Sequence, residues 1–190
     1  FFALASQNFT TATDTFNTAV GYSAGSAVTT GIENTLIGSE AGDALTDADR
    51  NVAVGHDALG GDTLGSNSVA IGYNVLKLQN FTTATNTYNT AVGHNAGASV
   101  TTGIQNTLIG GLAGDALTDA DNNIAIGYNA LSSDTLGTAS IAIGESALLA
   151  QNFTTATNAY NVAIGTGAGA GISTGISNTI VGGLAGDALT

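Results

Sequence analysis

The chain has 190 residues, of which 14 are acidic and two basic (Arg50 and Lys77), giving a net charge of −12 at pH 7. Nucleic acid is excluded as a partner, because binding it depends on Lys and Arg that displace counterions from the phosphates. The absence of cysteine excludes disulfides and thiolate metal sites. No apolar run reaches the ~18 residues that cross a bilayer, so we expect no membrane-spanning segment in this region.

A five-residue pattern recurs along the whole chain: Asn or Ser, a β-branched residue, a mostly small apolar residue, Val or Ile, then Gly. In chain order the ten copies end at Gly21, Gly38, Gly55, Gly72, Gly93, Gly110, Gly127, Gly144, Gly165 and Gly182. Successive glycines are 17 residues apart, except after Gly72 and Gly144, where the spacing is 21. So short and strict a period is typical of a solenoid in which each repeat forms one coil. The sequence therefore predicts an all-β fold, a parallel β-solenoid (β-roll) of 17- and 21-residue coils.

The coils are grouped into a larger repeat of 72 residues, made of three short coils and one long one. Residues 7–78 and 79–150 are identical at 48 of 72 positions, and 151–190 begins a third, partial copy. No linker or change of composition interrupts this pattern. We predict one repetitive segment over residues 1–190 and expect it to be part of a longer fibre.

Each pattern predicts a strand that ends at its glycine. The residues one and three before the glycine are β-branched in all ten copies, and residues two apart share one face of a strand. The residue between them, such as Ala53, points to the other face. We predict that the β-branched stripe fills the coil interior and that the small stripe meets a neighbouring chain. A second, weaker strand is expected later in each coil, as at 28–30 and 62–64.

The first residue of each pattern is Asn eight times and Ser twice. Short polar side chains at turns hydrogen-bond to nearby backbone, so we predict a structural ladder with one such residue in each coil. The predicted ladder residues are Asn17, Asn34, Asn51, Ser68, Asn89, Asn106, Asn123, Ser140, Asn161 and Asn178.

A coil of 17 residues encloses only a thin core, and ten coils spaced about 4.8 Å apart make a rod about 50 Å long. A single thin rod would leave one apolar stripe in water. A parallel bundle about the fibre axis is the simplest symmetric arrangement that buries this stripe. We therefore predict association of the chain with itself, as a homotrimer.

The patterns Asn-Val-Ala-Val-Gly at 51–55, Ser-Val-Ala-Ile-Gly at 68–72 and Ser-Ile-Ala-Ile-Gly at 140–144 resemble the head repeats of YadA-like trimeric autotransporter adhesins. Residues 17–38 are also similar to repeats in tail-fibre-like proteins of phages and environmental bacteria. These resemblances extend over essentially the whole chain. They imply a left-handed parallel β-roll in a homotrimer, located outside the cell or at its surface, or in a virion fibre.

One acidic motif is a candidate calcium site. The segment 46–51 reads Thr-Asp-Ala-Asp-Arg-Asn, and 118–123 repeats it as Thr-Asp-Ala-Asp-Asn-Asn. Carboxylate and amide oxygens are the ligands that calcium prefers, so Asp47, Asp49, Asp119 and Asp121 are the candidate ligands. The alternative is a polar turn without an ion. An EF-hand is excluded, because Val52 or Ile124 stands where that loop needs glycine.

The long coil concentrates aromatic residues and is the second candidate site. Phe81, Tyr88, Phe153 and Tyr160 form a predicted surface ridge for a host-surface glycan or protein. The alternative is a bulged corner whose Phe packs inside the coil or between subunits.

We predict no catalysis and no cofactor apart from calcium. Asp14 is replaced by Asn86 and Asn158 in the later repeats, and Glu33 by Gln105, although hydrolysis by paired carboxylates needs both acids. The predicted function is that of a structural extracellular fibre segment, such as an adhesin-like surface filament. One alternative is a phage tail-fibre shaft. An alternative of a different class is a monomeric β-solenoid that binds ice or carbohydrate through rows of Thr.

Overall fold

The computed structural model describes residues 1–190, which form strands and turns without any helix. Ten strands of three residues end directly before the repeated glycines: β1 (Thr18–Val20), β2 (Thr35–Ile37), β3 (Val52–Val54), β5 (Val69–Ile71), β7 (Thr90–Val92), β8 (Thr107–Ile109), β9 (Ile124–Ile126), β11 (Ile141–Ile143), β13 (Val162–Ile164) and β14 (Thr179–Val181). Four shorter strands have two residues each: β4 (Gly65–Ser66), β6 (Thr85–Asn86), β10 (Gly137–Thr138) and β12 (Thr157–Asn158).

The ten longer strands form a single parallel sheet in which each strand pairs with its counterpart in the next coil. Thr18 is in register with Thr35 across a 17-residue coil, and Val69 is in register with Thr90 across a 21-residue coil. The additional residues of the long coil therefore leave the strand register unchanged. The predicted parallel β-solenoid of stacked 17- and 21-residue coils is confirmed.

The repeated glycine is required by the close approach of successive coils. Gly38 has a φ of 138°, a conformation that side chains disfavour. A Cβ on Gly38 would lie 2.3 Å from the carbonyl oxygen of Gly55 in the next coil. The same contact recurs down the stack, which explains why no other residue takes this position.

The predicted second strand is wrong at 28–30 and 62–64, where the chain bends and forms no strand. The backbone there is still hydrogen-bonded from coil to coil: the N–H of Thr29 donates to the carbonyl of Thr46, and that of Thr46 to Thr63, both at 2.9 Å. Regular strand pairing on this side is limited to β4 with β6 and β10 with β12. In each pair one strand, β6 or β12, belongs to a 21-residue coil, and its partner belongs to the 17-residue coil before it.

The two faces of the long sheet are the reverse of those predicted. The middle residue of each strand points into the coil, and Ala53, Ala125 and Leu36 have no exposed surface. The β-branched residues on either side point outward. The reason is the width of the coil, because the other walls already fill its interior with side chains such as Leu45 and Ala58, which are also fully buried. Only one column of Ala or Leu from the sheet fits in the space that remains.

Candidate interaction surfaces

The outer side of the ten-stranded sheet is a continuous apolar surface, which we call the β-branched face. It consists of Thr18, Val20, Thr35, Ile37, Val52, Val54, Val69, Ile71, Thr90, Val92, Thr107, Ile109, Ile124, Ile126, Ile141, Ile143, Val162, Ile164, Thr179 and Val181. None of these residues is buried, and Ile37, Ile71 and Ile164 each expose 39% of their surface. Isolated exposed apolar residues are ordinary, but a contiguous apolar surface of this extent is typical of an interaction site.

The β-branched face carries no charge, although the chain as a whole has a net charge of −12. Fifteen of its twenty side chains are Val or Ile, and the other five are Thr. Five Thr do not make a continuous hydroxyl row, since they occupy only half of the coils. The surface is therefore mostly apolar and uncharged from one end of the rod to the other.

An aromatic stack lies in the column directly after the repeated glycines. The ring of Tyr73 is stacked between His56 and His94, with ring centroids 5.3 and 5.4 Å apart. Nε2 of His56 is also 3.8 Å from a carboxylate oxygen of Glu40. His56 and His94 are exposed and too far apart to share a metal ion, since Tyr73 lies between them.

Acidic residues gather at a neighbouring corner of the first 72-residue repeat. Burial, followed by the nearby charges of Asp57 and Glu40, raises the pKa of the Asp43 carboxyl. Nζ of Lys77 lies 2.7 Å from Oδ2 of Asp57, and this hydrogen bond, with the attraction between the two charges, raises the pKa of Lys77. In the second repeat Asp115 corresponds to Asp43, and burial raises the pKa of its carboxyl. The corner thus holds like charges that only one lysine offsets.

The four candidate calcium ligands each use one carboxylate oxygen for contact with the preceding coil. Oδ1 of Asp47 accepts a hydrogen bond from the Thr30 hydroxyl at 2.6 Å, and Oδ1 of Asp49 accepts the Ile32 N–H at 2.9 Å. Asp119 and Asp121 make the equivalent contacts at 2.7 and 2.8 Å. No three His, Cys, Asp or Glu side chains come together closely enough to hold a metal ion. These carboxylates act in the structure as links between coils.

The predicted aromatic ridge is wrong for two of its four residues. Phe81 and Phe153 are 7% and 6% exposed and so belong to the core. Tyr88 and Tyr160 are more than half exposed, and both have positive φ. The position in the coil decides this, because Phe16, which stands where the later repeats have Tyr88 and Tyr160, is also exposed, at 72%.

The predicted ladder residues are hydrogen-bonded from coil to coil. Oδ1 of Asn17 accepts the backbone N–H of Asn34 at 2.8 Å, and Oδ1 of Asn34 accepts that of Asn51 at 3.0 Å. Asn51 in turn accepts the N–H of Ser68 at 2.8 Å and donates its amide to the carbonyl of Gly65 at 2.9 Å. These side chains satisfy buried backbone groups, which would otherwise destabilise the coil.

The 21-residue coil interrupts the ladder, and Gln79 bridges the gap. Oε1 of Gln79 accepts the Asn89 amide at 2.9 Å, and Nε2 of Gln79 donates to Ser68 at 3.0 Å and to Oδ2 of Asp62 at 2.6 Å. Asp62 is fully buried, and its Oδ1 accepts two backbone N–H groups at 3.0 and 3.1 Å. The next repeat has the same arrangement at Gln151, Asp134, Ser140 and Asn161. Sequence reasoning missed this cluster, although Asp and Gln at coil positions that elsewhere hold Val or Leu were a signal for it.

The surface has no pocket that could enclose a small molecule, and the chain has no helix long and apolar enough to cross a membrane. Comparisons with protein-family models, curated proteins and solved structures found no significant match.

Proposed function

We propose that the chain is a segment of an extracellular structural fibre, of the adhesin-like surface-filament kind, whose copies associate as a parallel homotrimer. The observation that carries the proposal is the β-branched face, an uncharged apolar surface along the whole rod. A rod that keeps this face in water is at risk of non-specific aggregation. Association of identical copies covers it along its full length.

The size of the face supports association between copies. Twenty side chains of one chain form it, and stable interfaces between proteins use about 20–30 residues on each side. Its two columns of side chains suit a trimer, since each column then faces one of two neighbouring chains. The negatively charged residues lie on other columns, and all except the buried Asp62 and Asp134 are exposed or partly exposed.

A phage tail-fibre shaft is the alternative with the same geometry, and it differs in the system to which the fibre is attached. A monomeric solenoid that binds ice through Thr rows is supported less. Hydroxyl groups on the opposite side of the coil, such as those of Thr46 and Thr118, donate to carbonyls of the next coil at 3.1 and 3.0 Å. Those hydroxyls already have a partner within the protein.

The test compares substitutions at neighbouring positions of β3 and β9, one position on the β-branched face and one in the core. Val54→Glu together with Ile126→Glu places charges on the β-branched face, and we expect a folded monomer by light scattering with an unchanged β-type circular dichroism spectrum. Ala53→Glu together with Ala125→Glu places the same charges in the core, where an unpaired charge destabilises the fold. This second variant is expected to unfold.

Ser133→Glu together with Thr155→Glu is the matched control, because both side chains are exposed and lie outside the β-branched face. It is expected to remain a trimer. An unmodified chain that is a monomer at all concentrations would refute the proposed association, and thermal hysteresis by that monomer would favour ice binding. A trimer that survives Val54→Glu and Ile126→Glu would mean that another surface joins the copies.

A further inference from the structure

Folding into a stacked solenoid concentrates the charge of this chain along a short axis. Ten coils about 4.8 Å apart form a rod about 50 Å long, so the net charge of −12 amounts to one charge about every 4 Å. In the fully extended chain, at roughly 3.4 Å per residue, the same charges would be spread over more than ten times that length. Folding therefore raises the linear charge density by about an order of magnitude.

This density exceeds the limit at which a rod attracts its own layer of cations. Two unit charges in water repel each other with the thermal energy when they are about 7 Å apart. Charges spaced more closely than this along a rod lower their free energy by holding counterions near the surface, as DNA does. The charge spacing of the folded solenoid is shorter than this limit, whereas that of the extended unfolded chain is longer.

The chain itself cannot neutralise these charges. Asp62 and Asp134 are buried, and the remaining twelve acidic residues are exposed or partly exposed. Both basic residues lie in the first 72-residue repeat and already form ion pairs. Nη1 of Arg50 is 3.7 Å from Oε2 of Glu33, and Nζ of Lys77 is 2.7 Å from Oδ2 of Asp57. The second repeat has five acidic residues and no basic one. Neutralisation has to come from the solution.

We propose that the solenoid takes up cations when it folds and again when copies associate, and that it holds them as a diffuse layer along its acidic corners. Three chains side by side would carry one charge about every 1.4 Å, a higher density than the one per ~1.7 Å of B-DNA. Divalent cations are the more effective counterions, because each neutralises two charges. The uptake at folding concerns the single chain, and the uptake at association rests on the proposed function.

Thermal unfolding at different salt concentrations tests the uptake at folding. The melting temperature is expected to rise with the logarithm of NaCl concentration from about 10 mM to about 500 mM, a range over which screening changes strongly. Millimolar Mg²⁺ added at low NaCl is expected to give a comparable rise. A melting temperature that does not depend on NaCl would overturn the inference.

Two isosteric variants separate the charge effect from general effects of salt. Asp14→Asn with Glu145→Gln lowers the net charge to −10, and Gln105→Glu with Asn158→Asp raises it to −14; all four residues are exposed. Since the salt dependence scales with the number of charges, the slope of the second variant should be about two fifths steeper than that of the first. Equal slopes in the two variants would overturn the inference.

Sedimentation in the same buffers separates this inference from the proposed function. A monomer at every salt concentration, with a melting temperature that rises with salt, would refute the association but leave the uptake at folding intact. A trimer already complete at 10 mM NaCl, with a melting temperature that does not change with salt, would support the association and refute the uptake at folding. Calorimetry with Ca²⁺ is expected to show weak, unsaturated binding, and a saturable stoichiometric site would overturn the diffuse layer.

Discussion

The side chain of Leu36 occupies the space that a side chain at Gly42 would need, because Cδ2 of Leu36 is 2.8 Å from the place where a Cβ on Gly42 would lie. Cδ1 of Leu36 is 2.6 Å from the corresponding place at Gly25 in the coil before. Where the middle residue of the strand is Ala53, the same coil carries Leu59 at that corner. In these two coils a leucine comes either from the strand or from the corner, and the corner accepts leucine at a φ of 53°.

This relationship predicts the effect of exchanging the two positions. Leu36→Ala should lower the free energy of unfolding by about 2–5 kcal/mol, as expected for a cavity in a closely packed core. Gly42→Leu alone should also destabilise, since the new side chain would collide with Leu36 and with Leu45, whose Cδ1 is 2.7 Å from the place of the added Cβ. In the double variant Gly42→Leu should recover part of the loss, as measured by urea denaturation. Strictly additive single effects in the double variant would contradict the shared space.

Loss of a ladder side chain should leave buried backbone groups without partners. Asn51→Ala removes the acceptor of the Ser68 N–H and the donor to Gly65, and each unsatisfied group costs about 1–3 kcal/mol. Asn8→Ala is the control, because Asn8 is exposed, and it should change stability by less than about 0.5 kcal/mol. Equal effects of both substitutions in thermal denaturation would show that the ladder contributes nothing.

The carboxyl of Asp115 should make stability depend on pH. Burial raises its pKa in the folded state, and its Oδ1 is buried without a hydrogen-bond partner. Between the ordinary pKa and the raised one the folded state binds more protons, so this group's contribution to stability falls as pH rises through that window. At pH 7 the ionised carboxylate is unfavourable. As pH falls through the raised pKa, protonation removes this cost.

Asp115→Asn should therefore raise the melting temperature at pH 7 and have little effect below the ordinary pKa of aspartate. Asp187→Asn, at an exposed residue of the same coil position, controls for the change in net charge. The measurement is the difference in melting temperature between variant and unmodified protein at several pH values. A difference that is the same at every pH would contradict the role of burial at Asp115.

The two aromatic residues of the long coil should respond differently to truncation. Phe81→Ala removes a side chain that is 7% exposed and should cost about 3–5 kcal/mol. Tyr88→Ala removes one that is 56% exposed and should change stability by about 0.5 kcal/mol or less. Phe153 and Tyr160 provide the same comparison in the next repeat. A large loss at Tyr88 and none at Phe81 would reverse our assignment of core and surface.

Much of the architecture follows from the spacing of glycines alone. A glycine every 17 or 21 residues is enough to predict the coils, the parallel pairing and the column of Asn51 and its equivalents, because identical residues stack when identical coils do. The burial of Phe81 and the role of Gln79 were not predictable in this way. Phe81 lies in the additional residues of the long coil, where no neighbouring coil supplies an equivalent position for comparison. Gln79 stands where the preceding coils have Leu45 and Asp62, and the glycine spacing does not show which side chains it contacts.

By itself, the sequence determined that the chain repeats, that each repeat carries one short strand, and that β-branched and small residues occupy opposite faces of that strand. Only the tertiary structure decided which face is inside. Alternation along a strand separates two sets of side chains but does not say which set the coil encloses, because that depends on the volume that the other walls contribute. Leu45, Ala58 and Leu59 on the other walls are fully buried and leave room for Ala53 to point inward, whereas Val52 and Val54 face outward.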